Sequence, residues 1–222
     1  MLASTAGAVC YGNRLAWVGM VLTLPEFRGR GFARRLMEHM LHYLDHRGIG
    51  CIKLDATEMG RDLYRKLGFA EECAIERWAR APGQTPVSHL SSFLLDGALD
   101  REVFGAERWE LLQQLSRLDA VSIPKAGYAM GRPGRLAAYF GPCIAPSPEA
   151  ARSLLDWYLA RHGSEPICWD LLPDNQEAPR LAHALGFQRS RQLVRMVRVR
   201  DSTALIHSKT PSIYGIAGFE YG

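Results

Sequence analysis

The chain has 222 residues, 47% of them hydrophobic, and a formal net charge of +4: long enough for one large domain or two small ones, and too mildly basic to call for nucleic acid. Its five cysteines are odd in number and form no CxxC pair, which argues against a disulfide framework or a zinc site and fits a reducing cytoplasm. Residues 1–9 lack the basic start of a signal peptide, and no apolar run reaches the length of a membrane span, so no membrane partner is expected.

Residues 4–10 read as a short strand, closed by the turn Tyr11-Gly12-Asn13-Arg14. Residues 15–24 are apolar with β-branched content, the pattern of a buried strand. From Phe32 to Arg47 the apolar set Leu36, Met37, Met40, Leu41 and Leu44 recurs at three- and four-residue steps, one face of a helix that Gly48 and Gly50 end. A second buried strand follows over 51–55, a short helix over 61–67 stopped by Gly68, and a strand over 69–79. Residues 80–86, with two prolines and a glycine, form the best linker. Beyond it the pattern predicts a helix over 103–118, a strand over 135–144, a helix over 148–161, a strand over 166–172, a helix over 177–185, a strand over 188–200 and a last short strand within 212–220. The fold class is α/β, of the α+β mixed-sheet kind, with domains at 1–80 and 81–222.

The two halves repeat one order of elements. Ile52-Lys53-Leu54-Asp55 echoes Ile167-Cys168-Trp169-Asp170, and Leu67-Gly68-Phe69 echoes Leu185-Gly186-Phe187. Each of these last motifs precedes a strand carrying an arginine, Arg77 or Arg195. The pattern reads as an internal duplication.

The most informative stretch is Pro25-Glu26-Phe27-Arg28-Gly29-Arg30-Gly31-Phe32-Ala33, between a strand and a helix. Two glycines allow a tight turn that brings bare amides close to a ligand. The following helix start adds unpaired N–H groups and partial positive charge, together a cradle for a phosphate or pyrophosphate. In the second half Ala145-Pro146-Ser147-Pro148 stands at this place. Proline removes amide donors, so that copy lacks the cradle.

These residues resemble the GNAT superfamily of N-acetyltransferases, whose cofactor motif is Arg/Gln-x-x-Gly-x-Gly/Ala. A second family feature, a short helix with Leu-Tyr followed by Gly-Phe, stands here as Leu63-Tyr64-Arg65-Lys66-Leu67-Gly68-Phe69. The resemblance covers about residues 10–80 directly. The second half is similar to the degenerate C-terminal domain of two-domain members, so the fold it implies is a tandem of GNAT-like acyl-CoA N-acyltransferase domains. A strand, two helices and another strand that usually open such a domain are absent before residue 4, and they normally shape the acceptor pocket.

The resemblance implies acetyl-CoA as co-substrate and a primary amine, on a small molecule or a peptide, as acceptor. Met20, Val21, Leu22 and Leu24 would line the strand end that pairs with the pantetheine arm. Amides over Arg28, Gly29, Arg30, Gly31, Phe32 and Ala33 would hold the pyrophosphate. An amide from Met20–Leu22 would polarise the thioester carbonyl, and Tyr64, a phenol protonated at neutral pH, would return a proton to the departing thiolate. No general base is visible: Glu26, Asp55 and Glu58 each have an ordinary structural reading beside the catalytic one. An acyl-CoA-binding sensor without turnover is the alternative function, and a strand-exchanged homodimer that completes the sheet is a third reading.

Other features read as structure. His39, His42 and His46 fall opposite the apolar stripe, a solvated face rather than a metal site. Trp17, Trp78, Trp109, Trp157 and Trp169 read as core or domain-interface residues. Arg189, Arg191, Arg195, Arg198 and Arg200 read as charges protecting an edge strand.

Overall fold

The computed structural model describes residues 2–222. The chain divides into two compact units, one of Met1–Cys73, Leu193–Ile206 and Phe219–Gly222, the other of Ala74–Gln192 and His207–Gly218. Residues 193–206 and 219–222 therefore count with the first unit although they lie at the far end of the sequence.

In the first unit β1 (Ser4–Tyr11) and β2 (Leu15–Thr23) form an antiparallel hairpin, and β2 pairs in parallel with β3 (Cys51–Ala56). On its other side β3 pairs antiparallel with the Leu193–Val199 part of β9 (Gln188–Val199). The helix α1 (Phe32–His46) buries Met37, Leu41 and Leu44, as its three- and four-residue spacing requires. These side chains meet Ala16, Val18, Ile52 and Leu54 of the sheet and Tyr64 of α2 (Glu58–Lys66) in one apolar cluster. Each large side chain buried this way stabilises by about 1.5–3 kcal/mol.

The second unit repeats this plan. The Ala74–Arg80 part of β4 (Ala70–Arg80) pairs antiparallel with β8 (Ile167–Leu171), β8 pairs in parallel with β7 (Ala138–Ile144), and β6 (Gly127–Arg132) and β5 (Asp119–Ile123) follow antiparallel. Its core gathers Phe140, Leu154, Leu155, Tyr158, Trp169 and Phe187, with α5 (Pro148–His162) and α6 (Glu177–Ala184) supplying the helical faces. A short β10 (Ile213–Gly215) pairs with β7.

Several expectations change. The single helix over 103–118 is two, α3 (Gly97–Phe104) and α4 (Trp109–Ser116). Gly105 turns left-handed at φ 94, and Arg108 swings back to chelate the buried Asp100 carboxylate at 2.9–3.2 Å; that pair outweighs continuing the helix. The β5–β6 hairpin was not expected. The strand over 212–220 shrinks to Ile213–Gly215. Trp17, Trp157 and Trp169 are buried, whereas Trp109 is 40% exposed. Arg195 does not protect an edge, because it is buried and paired with Asp55. Arg198 and Arg189 are likewise held in ion pairs, by Asp45 and Glu76.

Candidate active site

The site is built at the C-terminal end of β2. The parallel ladder between β2 and β3 runs from Leu15↔Cys51 to Val18↔Leu54 and stops, although β2 continues to Thr23 and β3 to Ala56. The cause lies in β2 itself. On the hairpin side Gly7 faces Gly19 and Thr5 faces Leu22, so β2 spends one residue more than β1 between these pairs. This is a β-bulge, and Met20 adopts φ 54 within it. A left-handed conformation in a non-glycine residue carries strain and recurs at functional sites, and a bulge re-aims a strand.

The slip is visible in the packing. Ala16 and Val18 face the α1 core, and the next β2 residue packed there is Val21. Met20, Leu22 and Leu24 are left 59%, 56% and 42% exposed. Thr5 Oγ1 donates to the Met20 carbonyl at 3.0 Å, and Ser4 Oγ to the Leu22 carbonyl at 2.8 Å. These bonds hold the hairpin side of the bulge and leave the β3 side of residues 19–23 without a ladder.

A short 3-10 turn over Pro25–Phe27 then leads into the glycine turn. Gly29 and Gly31 adopt φ 74 and φ 76, and a Cβ on either would meet nothing within 4 Å. The conformation, not crowding, calls for glycine here, and the space above the turn is open. Gly31 caps α1 with no side-chain acceptor, and the first helical bond closes from Arg35 N to Gly31 O at 3.0 Å. The amides of Phe32, Ala33 and Arg34 come before that bond and have no acceptor within the helix. Arg28 Nε donates to the Thr23 carbonyl at 3.2 Å, and the Arg30 guanidinium lies 5.3 Å from the Phe27 ring centre. Open space, unfilled amides and two cations suit a diphosphate.

Tyr64 projects from α2 into the cluster that holds Ala16, Val18 and Ala56. Its ring meets Phe69 edge-on, and a Cβ on Gly60 would fall 2.8 Å from its Cε2. Burial pushes its hydroxyl above the usual phenol pKa, so the group is a proton donor across the neutral range. Asp55 follows the last rung of the ladder. Its side chain is fully buried, and Arg195 Nε and Nη2 donate to it at 2.9 and 3.2 Å. The Arg195 guanidinium also stacks over Trp17, 4.4 Å from its ring centre. Asp55 is thus the counter-ion of a buried cation. Glu26 and Glu58 are exposed. His42 and His46 sit on the exposed face of α1, and among the described residues no group of three or more ligating side chains could hold a metal.

The second unit shows the same opening closed. Its ladder runs from Ala138↔Ile167 to Phe140↔Trp169, and past that point β10 lies between the strand ends. Ile213 and Gly215 pair with Ile144 and Cys143 of β7, while the Ile216 amide donates to the Asp170 carbonyl of β8 at 3.0 Å. Trp169 Nε1 donates to the Tyr214 carbonyl at 2.7 Å, and the Asn175 amide group donates to the Pro211 and Ile213 carbonyls. The Ala145 amide goes to the Ser212 carbonyl, and Ser147 caps α5 by accepting from Ala150 N at 3.3 Å. The donors that would meet an anion are absent or already engaged, in line with the prolines at 146 and 148.

The sequence pointed to Gly29, Gly31 and Tyr64 but not to the bulge at Met20 or the Asp55–Arg195 pair. Gly19 was the available signal, since a glycine inside an apolar strand run marks a bulge or a close approach.

Two family models, each described as an acetyltransferase (GNAT) domain, match the chain in succession, one over residues 2–71 and one over residues 97–215. A proposed acetyltransferase from Pyrococcus horikoshii superposes with a TM-score of 0.84 at 22% identity, covering 99% of this chain and 76% of that one. A GCN5-related N-acetyltransferase from Sphaerobacter thermophilus reaches 0.64 at 18% identity, over 89% and 76% of the two chains. A tandem GNAT protein from the clavulanic acid biosynthesis pathway reaches 0.59 at 16% identity, over 89% and 79%. At these identities the likeness is one of fold. No curated protein matches the sequence, and no helix among the described residues is long and apolar enough to cross a membrane. The matched domains, together with the splayed strands and glycine turn of the first unit, place this chain in the GNAT acetyltransferase family as a two-domain member.

Proposed function

We propose that the first unit transfers an acetyl group from acetyl-CoA to a primary amine. The observation that carries this reading is the pairing of an open strand end with an open amide turn: β2 loses its ladder with β3 after Val18, and Gly29 and Gly31 lie uncovered just beyond it. The exposed edge over Met20, Val21, Leu22 and Leu24 offers main-chain groups to an amide-bearing pantetheine arm. The turn residues Arg28, Gly29, Arg30, Gly31, Phe32 and Ala33 offer N–H groups and positive charge to a diphosphate.

The chain's own groups then have distinct tasks. Main-chain amides at the bulge orient and polarise a thioester carbonyl, a contribution that grows where water is excluded. Tyr64, kept protonated by burial, supplies the proton that a leaving thiolate takes up. Asp55 and Arg195 hold β3 against β9.

The test combines calorimetry with acetyl-CoA and a free-thiol release assay over a panel of small amines and peptides. Saturable binding together with amine-dependent thiol release supports the transferase. Binding with no turnover on any amine supports an acyl-CoA sensor instead, and no binding removes the reading altogether.

A further inference from the structure

Independently of the transferase reading, the geometry points to a metal site at the C-terminal end of α1, where His42 and His46 together chelate a late first-row divalent cation, Ni²⁺ or Cu²⁺ ahead of Zn²⁺. The two histidines stand one helical turn apart on one face of α1, and both are exposed. A solvated face, the expectation from sequence, leaves each imidazole to turn toward water. Here the rings converge instead. His42 Nε2 and His46 Nε2 lie 3.0 Å apart, with ring centres 4.2 Å apart and ring planes at 87°.

That separation is the one chelation needs. Two imidazole nitrogens bound side by side to one cation at about 2.0–2.1 Å, with an angle of about 90° at the metal, are about 3.0 Å from each other. Rotating each ring outward aims both Nε2 lone pairs at one point in solvent. In the pair as it stands, one Nε2 donates its proton to the other. On chelation that ring carries its proton on Nδ1, both lone pairs go to the cation, and no proton is gained or lost. Water fills the remaining coordination positions. His39 is exposed on the same face one turn earlier, but no group of three ligating side chains forms among the described residues.

The surroundings suit a cation. The last turn of a helix favours positive charge. Arg47 donates to Tyr43 Oη at 3.1 Å on one flank, and Arg198 pairs with Asp45 at 2.9 Å on the other, so these neighbours are already engaged. Leu41 and Leu44 are buried on the opposite face and anchor the backbone that spaces the two rings. His42 lies about 15 Å from Phe32 along the helix axis, so an ion held here leaves the glycine turn clear.

The test is calorimetric titration of the full chain, free of any histidine tag, with nickel chloride in a buffer without chelators. Ni²⁺ is the probe because Zn²⁺ and copper also take thiolate ligands, and the chain carries five cysteines. Wild type should bind Ni²⁺ with a stoichiometry near one. His42→Ala and His46→Ala should each weaken binding by about 10²-fold, because the second imidazole no longer adds its effective concentration. His39→Ala should stay within about twofold of wild type. Ni²⁺ should raise the thermal midpoint of wild type and of His39→Ala, and of neither other variant. Equal midpoints without metal across the series separate lost chelation from lost folding. A wild type that binds Ni²⁺ no more tightly than the doubly substituted His42→Ala, His46→Ala protein overturns the site, as does a loss at His39 equal to that at His42. Neither result touches the transferase reading.

Discussion

Asp55 and Arg195 lie 140 residues apart in sequence and directly opposite each other in β3 and β9, joined by two hydrogen bonds of 2.9 and 3.2 Å. Arg77 and Asp170 repeat the arrangement between β4 and β8, at 2.7 and 2.6 Å. In each pair the aspartate comes from one half of the duplicated sequence and the arginine from the other. The first pair is the more deeply buried, with side chains 0% and 5% exposed.

Breaking that pair from one side leaves a buried cation without its partner. Asp55→Ala should destabilise the first unit by about 3–5 kcal/mol, and Asp55→Ala combined with Arg195→Met should recover much of the loss. Urea unfolding followed by tryptophan fluorescence reads this in a protein that keeps Trp17 and carries phenylalanine at the other four tryptophan positions. A single Asp55→Ala variant as stable as wild type would show that the pair contributes nothing.

Gly31 caps α1 at φ 76 with open space around it. Gly31→Ala therefore introduces backbone strain of about 1–2 kcal/mol without a clash, while Gly31→Pro cannot adopt the conformation and removes an amide. Calorimetry should find acetyl-CoA affinity reduced about tenfold for alanine and lost for proline. Equal affinity for all three proteins would remove the glycine turn from the binding site.

Tyr64→Phe should lower turnover by about 10²-fold and leave the acetyl-CoA dissociation constant unchanged. The pH dependence follows from the direction of the shift. Burial raises the phenol pKa in the folded state, so the protonated, donating form persists above the usual value near 10. A rate profile that falls between pH 8 and 9 in wild type but not in Tyr64→Phe would contradict this. The same raised pKa makes a stability contribution that is present below the unfolded-state pKa and lost as pH climbs through the folded-state value.

One acetyl-CoA should bind per chain, not two. The second unit fills its strand gap with β10 and commits the Ala145 amide to Ser212. A calorimetric stoichiometry near two would show that β10 yields to the ligand.

Much of the fold could be read locally. The stripe Met37, Leu41, Leu44 declared α1, and the Leu-Gly-Phe echo at 67–69 and 185–187 announced two domains in tandem. The β5–β6 hairpin escaped because its turn, Pro124-Lys125-Ala126, places a lysine at φ 59, where Asn-Gly would have signalled it. The break between α3 and α4 escaped because it depends on Arg108 reaching Asp100. The candidate site at the end of β2 was half legible. Gly29 and Gly31 carry their conformational need in their identity, whereas the bulge at Met20 arises from the register between two strands.

The exchanged arginines bear on how this protein can be divided. A cut within residues 81–86, which follow β4 inside the second unit, would yield two fragments, each keeping its aspartate and losing the strand that neutralises it. Co-expressed, the fragments should reassemble; apart, neither has a complete sheet.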